Sequence, residues 1–163
     1  MGKEAKTNAM RMLERAKVNY TSHEYPHEEG QAVDGAHVAQ LTGQDPAKVF
    51  KTLVTQGADR NYYVFVVPVL AELDLKKAAK SVGVKSVAMI HVADINKVTG
   101  YIRGGCSPVG MKSSLPPCLT KAASAQPTIL VSGGRIGTQI ECAPADLVKV
   151  TRGKTAAITA ENA

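Results

Sequence analysis

The sequence predicts a single α/β domain over residues 1–163, built on a mixed, curved β-sheet surrounded by short helices. Three observations lead there. Helix-like and strand-like patterns are interleaved along the chain, two pairs of strand-like runs are separated only by short turn-forming segments, and no regular strand–helix–strand series of the kind that builds a purely parallel fold is present. With 163 residues, 44% of them hydrophobic and 21% charged, the chain is long enough to bury a real core. No low-complexity tract, internal repeat or linker divides it.

The elements follow in order. Ala5, Ala9, Leu13 and Ala16 recur at helical spacing, so an amphipathic helix is expected over 3–17. Residues 19–25 read as extended, and a second helix is expected over 32–41, ending at Gly43. Asp45 can cap a short helix with Pro46 at its first position, where the missing N–H costs nothing. That helix runs out near Phe50. The runs 51–55 and 62–67 flank the turn-like Gly57-Ala58-Asp59-Arg60-Asn61 and predict a hairpin. Asp74 can cap a helix reaching Val82, with Gly83 after it. A strand over 86–89 and a short helix over 94–98, stopped by Gly100, come next. Strands over 128–132 and 138–142 flank Gly133-Gly134-Arg135-Ile136-Gly137. Pro144 starts a short helix, and 156–159 read as a last strand.

Composition narrows the function. The longest apolar run, 62–70, contains Pro68 and falls well short of the roughly 18 residues a membrane helix needs. The opening MGKEAKTNAM mixes charges into a short amphipathic pattern and is not expected to be a signal peptide. Three widely spaced cysteines, Cys106, Cys118 and Cys142, form no C-x-x-C pair and fit free thiols in a reducing cytoplasm. The net charge of +6 favours a polyanionic partner. With no Trp, two Phe and five Tyr, the chain lacks a stacking platform for a long single strand. Nucleic acid would be held through phosphates, or by one terminal nucleotide in a pocket.

Four local patterns invite chemistry. His23-Glu24-Tyr25-Pro26-His27 matches H-E-x-x-H, which binds zinc only when both histidines share one helix face. Pro26 lies inside that span and disfavours a helix there, so neither a metal nor another cofactor is expected. Gly104-Gly105-Cys106-Ser107-Pro108-Val109-Gly110 reads equally as a tight turn or as an anion-binding nest of backbone amides. Cys106 within it has no histidine near in sequence and is not expected to be a nucleophile. Ser132-Gly133-Gly134-Arg135-Ile136-Gly137 reads as a glycine-rich hairpin turn or a second ligand loop. Lys51 stands inside the apolar run Val49-Phe50-Lys51-Thr52-Leu53-Val54. Its stem could pack while the ammonium reaches water, or it could be a cation at a cleft wall aimed at a phosphate or an oxyanion.

Three segments, VFKTLV at 49–54, GYIRGGCSPVGMK at 100–112 and ILVSGGRIGTQIECAPADLV at 129–148, together resemble the YbaK family. These are free-standing relatives of the editing domain inserted in bacterial prolyl-tRNA synthetases. Val66-Val67-Pro68 and Leu73-Asp74-Leu75-Lys76-Lys77 also look like the family, and the resemblance covers residues 20–150. It implies a mixed α/β fold around a curved sheet and removal of wrongly attached amino acids from tRNA. The implied activity is a trans-editing deacylase acting on Cys-tRNA(Pro), with Cys-tRNA(Cys) as a second candidate substrate. Mischarged tRNA(Pro) and prolyl-tRNA synthetase are the implied partners.

The implied catalytic residue is Lys51. The implied substrate-binding positions are Tyr25, Thr52, Gly104, Gly105, Ser107, Pro108, Ser132, Gly134 and Gln139. Some relatives carry an acidic residue where this chain has Gln139, so the implied chemistry needs no carboxylate base there. An aminoacyl ester is already activated, and positioning with oxyanion stabilisation can cleave it without an enzyme nucleophile. For cysteine, the resemblance implies that the substrate's own thiol attacks its ester carbonyl and leaves as a cyclic thiolactone. Two alternatives stand beside this: a deacylase for alanine, and a non-catalytic nucleic-acid-binding regulator.

Overall fold

The computed structural model describes residues 6–28, 31, 33, 35–112 and 115–160. Helix α1 (Asn8–Arg15) begins where the Thr7 hydroxyl accepts from the Met10 amide, and it buries Ala9, Met10 and Leu13. It is shorter than the expected span. Residues 3–5 lie outside the described residues, and the capping Thr7 is extended, which starts the helix after it. Strand β1 (Thr21–Glu24) leads to helix α2 (Gly35–Thr42). Ala32 and Asp34, at the expected start of that helix, also lie outside the described residues. Asp45 caps a single 3-10 turn, Pro46–Lys48, with its carboxylate accepting from the Ala47 amide.

Strands β2 (Phe50–Gly57) and β3 (Tyr62–Pro68) form the expected hairpin, with Lys51 opposite Val67 and Thr52 opposite Val66. Asp74 accepts from the amides of Lys76 and Lys77 to start α3 (Leu75–Ser81). Strand β4 (Val87–Met89) and helix α4 (Val92–Thr99) follow, and Gly100 ends α4 in the left-handed region at φ 82°. Strand β5 (Pro117–Thr120) was not foreseen. Two adjacent prolines hide it in the sequence, yet all four of its residues are buried, and it pairs in parallel with β3. The remaining elements are β6 (Ile129–Arg135), β7 (Thr138–Cys142), α5 (Pro144–Thr151) and β8 (Lys154–Ala156). The last strand forms two residues before the expected start because it pairs in parallel with β5, while Thr159 makes only an isolated bridge to Leu73.

The strands make two sheets, β1-β7-β6 and β4-β2-β3-β5-β8. Successive residues of β3 point to opposite faces, and both faces are covered. Val66 joins Phe50, Leu119, Ile129, Val131 and Ile140 in a core closed by α1 and by Leu147 of α5. Phe65 and Val67 face the other way, onto Ala78 and Ala79 of α3. The sheets meet at one parallel bridge between Val49, just before β2, and Leu130 of β6. Beyond that bridge the two strands diverge. A bulge between Ser132 and Arg135 takes β6 out of regular register with β7, and Gly134 in it adopts φ 102°. Separating strands leave a gap between the sheets that backbone pairing cannot fill.

Candidate active site

A cavity of about 150 Å³ occupies that gap. Lys51 and Ser132 each stand two residues beyond the bridged pair, so the period-two alternation of strands carries them on the same face as Val49 and Leu130. Gln139 sits opposite Ser132 on β7 and shares that face. Phe50 and Thr52 border the cavity from the adjoining positions of β2, Tyr25 from the residue after β1, and Val69 from the end of β3. Val33, Gly35 and Val38 form the wall on the α2 side, and Gly104 and Cys106 of the glycine loop complete it.

The electrostatics of the cavity are unusual. Lys51 is partly buried, and its ammonium has neither an ion pair nor a hydrogen bond among the described residues. Only two buried side-chain polar atoms among those residues lack a hydrogen-bond partner, Thr52 Oγ1 and Gln139 Oε1. Both belong to residues lining this cavity. An unsatisfied buried polar atom costs about 1–3 kcal/mol, so natural folds keep few of them. Two such oxygens together with an unpaired lysine make a cavity that is apolar in its walls and wants a polar guest.

Six of the ten expected positions meet here: Tyr25, Lys51, Thr52, Gly104, Ser132 and Gln139. The other four do not line the cavity. A Cβ on Gly105 would lie 2.8 Å from Arg135 Cα, so its role is to let the glycine loop press on the β6–β7 turn. Ser107 is fully buried and its Oγ accepts from the Val109 amide, shaping the loop from within. Pro108 faces a separate cavity with Met12, Met111 and Leu115. At Gly134 a Cβ would meet Thr7 and Tyr101 at 3.1 Å, and the Tyr101 hydroxyl donates to the Val109 carbonyl at 2.7 Å. Tyr101 is thus a buried peg holding both glycine segments in place.

The α2 wall escaped sequence reasoning. Its one signal is Gly35, a glycine opening a helix. A Cβ there would come 2.5 Å from Val69 Cγ1, so only glycine lets α2 approach the end of β3 this closely.

The histidine pattern has a structural explanation. His23 lies on strand β1, not on a helix, and its Nε2 is 2.8 Å from Glu141 Oε1. Glu141 also accepts from Lys48 Nζ at 3.1 Å and from the Thr128 hydroxyl at 2.5 Å. The Thr128 hydrogen bond foremost, then His23 and Lys48, lower the Glu141 carboxyl to about 2. This knot ties β1, the 3-10 turn and the start of β6 to β7. Among the described residues no group of three His, Cys, Asp or Glu is placed to hold a metal ion. Burial pushes the Cys106 thiol up to about 11, which keeps it protonated and poorly nucleophilic near neutrality.

Comparison with known proteins places this geometry. The profile of the family described as the aminoacyl-tRNA editing domain matches residues 29–150. A protein of Enterococcus faecalis, provisionally named the Cys-tRNA(Pro)/Cys-tRNA(Cys) deacylase EbsC, is 46% identical over 154 residues, 94% of this chain and 93% of its own. A solved structure provisionally described as a trans-editing enzyme for prolyl-tRNA synthetase superimposes with a TM-score of 0.80. It covers 97% of this chain and all of its own, at 24% identity. A hypothetical protein of solved structure reaches a TM-score of 0.84 at 19% identity, covering 94% of this chain and all of its own. The last two bear on the fold, which they match as a mixed α/β architecture.

Proposed function

The chain belongs to the aminoacyl-tRNA editing domain family, and on that premise we propose that it is a free-standing deacylase that clears cysteine from mischarged tRNA(Pro). The observation that carries the reading is the unpaired Lys51 beside two orphaned oxygens in a cavity of about 150 Å³. An apolar cavity of that volume admits a benzene-sized guest, which suits a small amino-acid side chain.

In this reading the aminoacyl group enters the gap between the diverging strands. The substrate thiol attacks its own ester carbonyl, a carbon–sulfur bond forms, and the carbon–oxygen bond to the ribose breaks. The thiol proton ends on the departing ribose hydroxyl, and the cysteine leaves as a cyclic thiolactone. Lys51 faces the negative charge that grows on the carbonyl oxygen, a contact stronger in the transition state than in the ground state. Thr52 and Gln139 orient the substrate by giving their orphaned oxygens partners. No side chain of the enzyme has to become a nucleophile, in keeping with a protonated Cys106. The substrate would be met in the cytoplasm, in free encounter with tRNA or beside prolyl-tRNA synthetase.

Deacylation of Cys-tRNA(Pro), Cys-tRNA(Cys), Ala-tRNA(Pro) and Pro-tRNA(Pro) tests the proposal. Rapid loss of cysteine with intact prolyl ester is the expected result. Faster loss of alanine would make the protein an alanine deacylase, and no loss from any of them would remove the catalytic reading.

A further inference from the structure

A second groove opens directly off the cavity. It has a volume of about 390 Å³ and shares Thr52, Gly104 and Cys106 with the first. Its other walls are Leu53 and Val54 of β2, Met89 and Ile90 at the end of β4, and Val92 and Ile95 of α4. Arg103 stands exposed on its border and is its only charged lining residue. Met89 and Val92 remain 49% and 56% exposed there, although Ile90 and Ile95 pack on a core cluster beneath. Exposed apolar surface gathered around one cation marks a binding surface better than scattered apolar residues do.

We infer that this groove is the subsite for the purine base of the substrate's 3′-terminal adenosine, with Arg103 and Met89 as its principal contacts. The inference rests on the deacylase reading above and extends it. The covalent structure of the substrate fixes the geometry. If the aminoacyl group lies in the small cavity, its ester oxygen belongs to a ribose at the mouth, and the base projects one sugar ring away. The groove that shares Thr52, Gly104 and Cys106 with the cavity lies at that distance. Its contents suit the guest. A base presents flat apolar faces that pack on aliphatic side chains, a methionine sulfur makes favourable contacts with aromatic rings, and a guanidinium stacks on a base. The groove has no carboxylate to repel the flanking phosphates, and Arg103 favours them. The protein thus handles a single terminal nucleotide without the aromatic platform that its composition denies it.

The test uses the full chain and two uncleavable probes. One is cysteine joined through an amide to 3′-amino-3′-deoxyadenosine, and the other is the same amide on a sugar lacking its base. Affinity is measured by calorimetry, and the Met89, Ile90 and Ile95 methyl groups are followed by NMR. The inference predicts that the base-free probe binds about tenfold or more weakly, the scale of one stacked base. The adenosine probe shifts these three methyl signals, and Arg103→Ala narrows the affinity gap between the probes. Equal affinities, or tight binding of the adenosine probe with the methyl signals unmoved, overturn the subsite while leaving the deacylase reading intact. If neither probe binds, both readings fall together. Methyl shifts that track protein concentration without a probe would assign the groove to a second copy of the chain and likewise overturn the inference.

Discussion

The backbone of Gly105 rests against Arg135 so closely that a Cβ would stand 2.8 Å from Arg135 Cα, 2.9 Å from its carbonyl carbon and 3.0 Å from the Ile136 nitrogen. Two glycine-rich segments about thirty residues apart in sequence are thereby one object in space. The first presents Gly104 and Cys106 to the cavity, and the second carries Ser132 into it from β6.

Gly105→Ala therefore cannot be absorbed by a side-chain shift, because the obstructing atoms are backbone. Overpacking of this kind costs about 1–3 kcal/mol, and the loop must retreat from β6. Expected are a lower melting temperature and a loss of deacylation larger than that for an alanine at exposed Gly83, where a Cβ has nothing within 4 Å although its φ of 71° adds some strain. Equal behaviour of the two variants would show that the loop contact does not matter.

The thiols give a second test. Burial raises Cys106 to about 11 and Cys142 to about 12, and raises Cys118 as well. None is a ready thiolate. Cys106→Ser, Cys118→Ala and Cys142→Ala should each cost less than about tenfold in single-turnover deacylation when folded. A loss of several orders of magnitude in any one would identify an enzyme nucleophile.

Glu141 gives a pH dependence with a definite sign. Its folded carboxyl titrates at about 2, below the ordinary 4.5, because the Thr128 hydroxyl, His23 and Lys48 all favour the charged form. A depressed carboxylate contributes stability fully above 4.5, and that contribution is lost as pH falls toward 2. Glu141→Gln should therefore be less stable than the wild type at neutral pH, with the difference shrinking through that acid window. Melting curves whose separation does not change with pH would contradict the account.

The net charge of +6 predicts that tRNA is held largely through phosphates. Binding of uncharged tRNA(Pro) should weaken about tenfold or more between roughly 50 and 200 mM salt. A flat response would make the positive charge incidental to binding.

Much of this architecture was legible because its signals are local. Asp45 before Pro46 and Asp74 before an apolar stripe announce helix starts wherever they occur, and the β2–β3 hairpin declares itself by its turn. Lys51 was legible as a charge out of place in an apolar run. Strand β5 was not, since Pro117 pairs in parallel with Val64 across more than fifty residues and nothing nearby announces it. The glycine segments were recognisable as a set but not residue by residue. Gly104 reaches the cavity while Gly105 packs on backbone, a distinction set by where Arg135 lies and not by composition. The α2 wall depends in the same way on Gly35 meeting Val69.

The most direct test is single-turnover deacylation of Cys-tRNA(Pro) by Lys51→Ala, with its thermal melt measured alongside. Lys51 has no partner among the described residues, so its removal breaks no ion pair and should leave the melting temperature unchanged or slightly raised. Activity should fall about 10²-fold or more, the scale for losing one well-placed oxyanion contact. Lys51→Arg should not restore it, since a planar fork does not reproduce a compact ammonium in a shaped cavity. Near-normal turnover by a folded Lys51→Ala protein would show that the lysine only snorkels to water and would contradict the catalytic account.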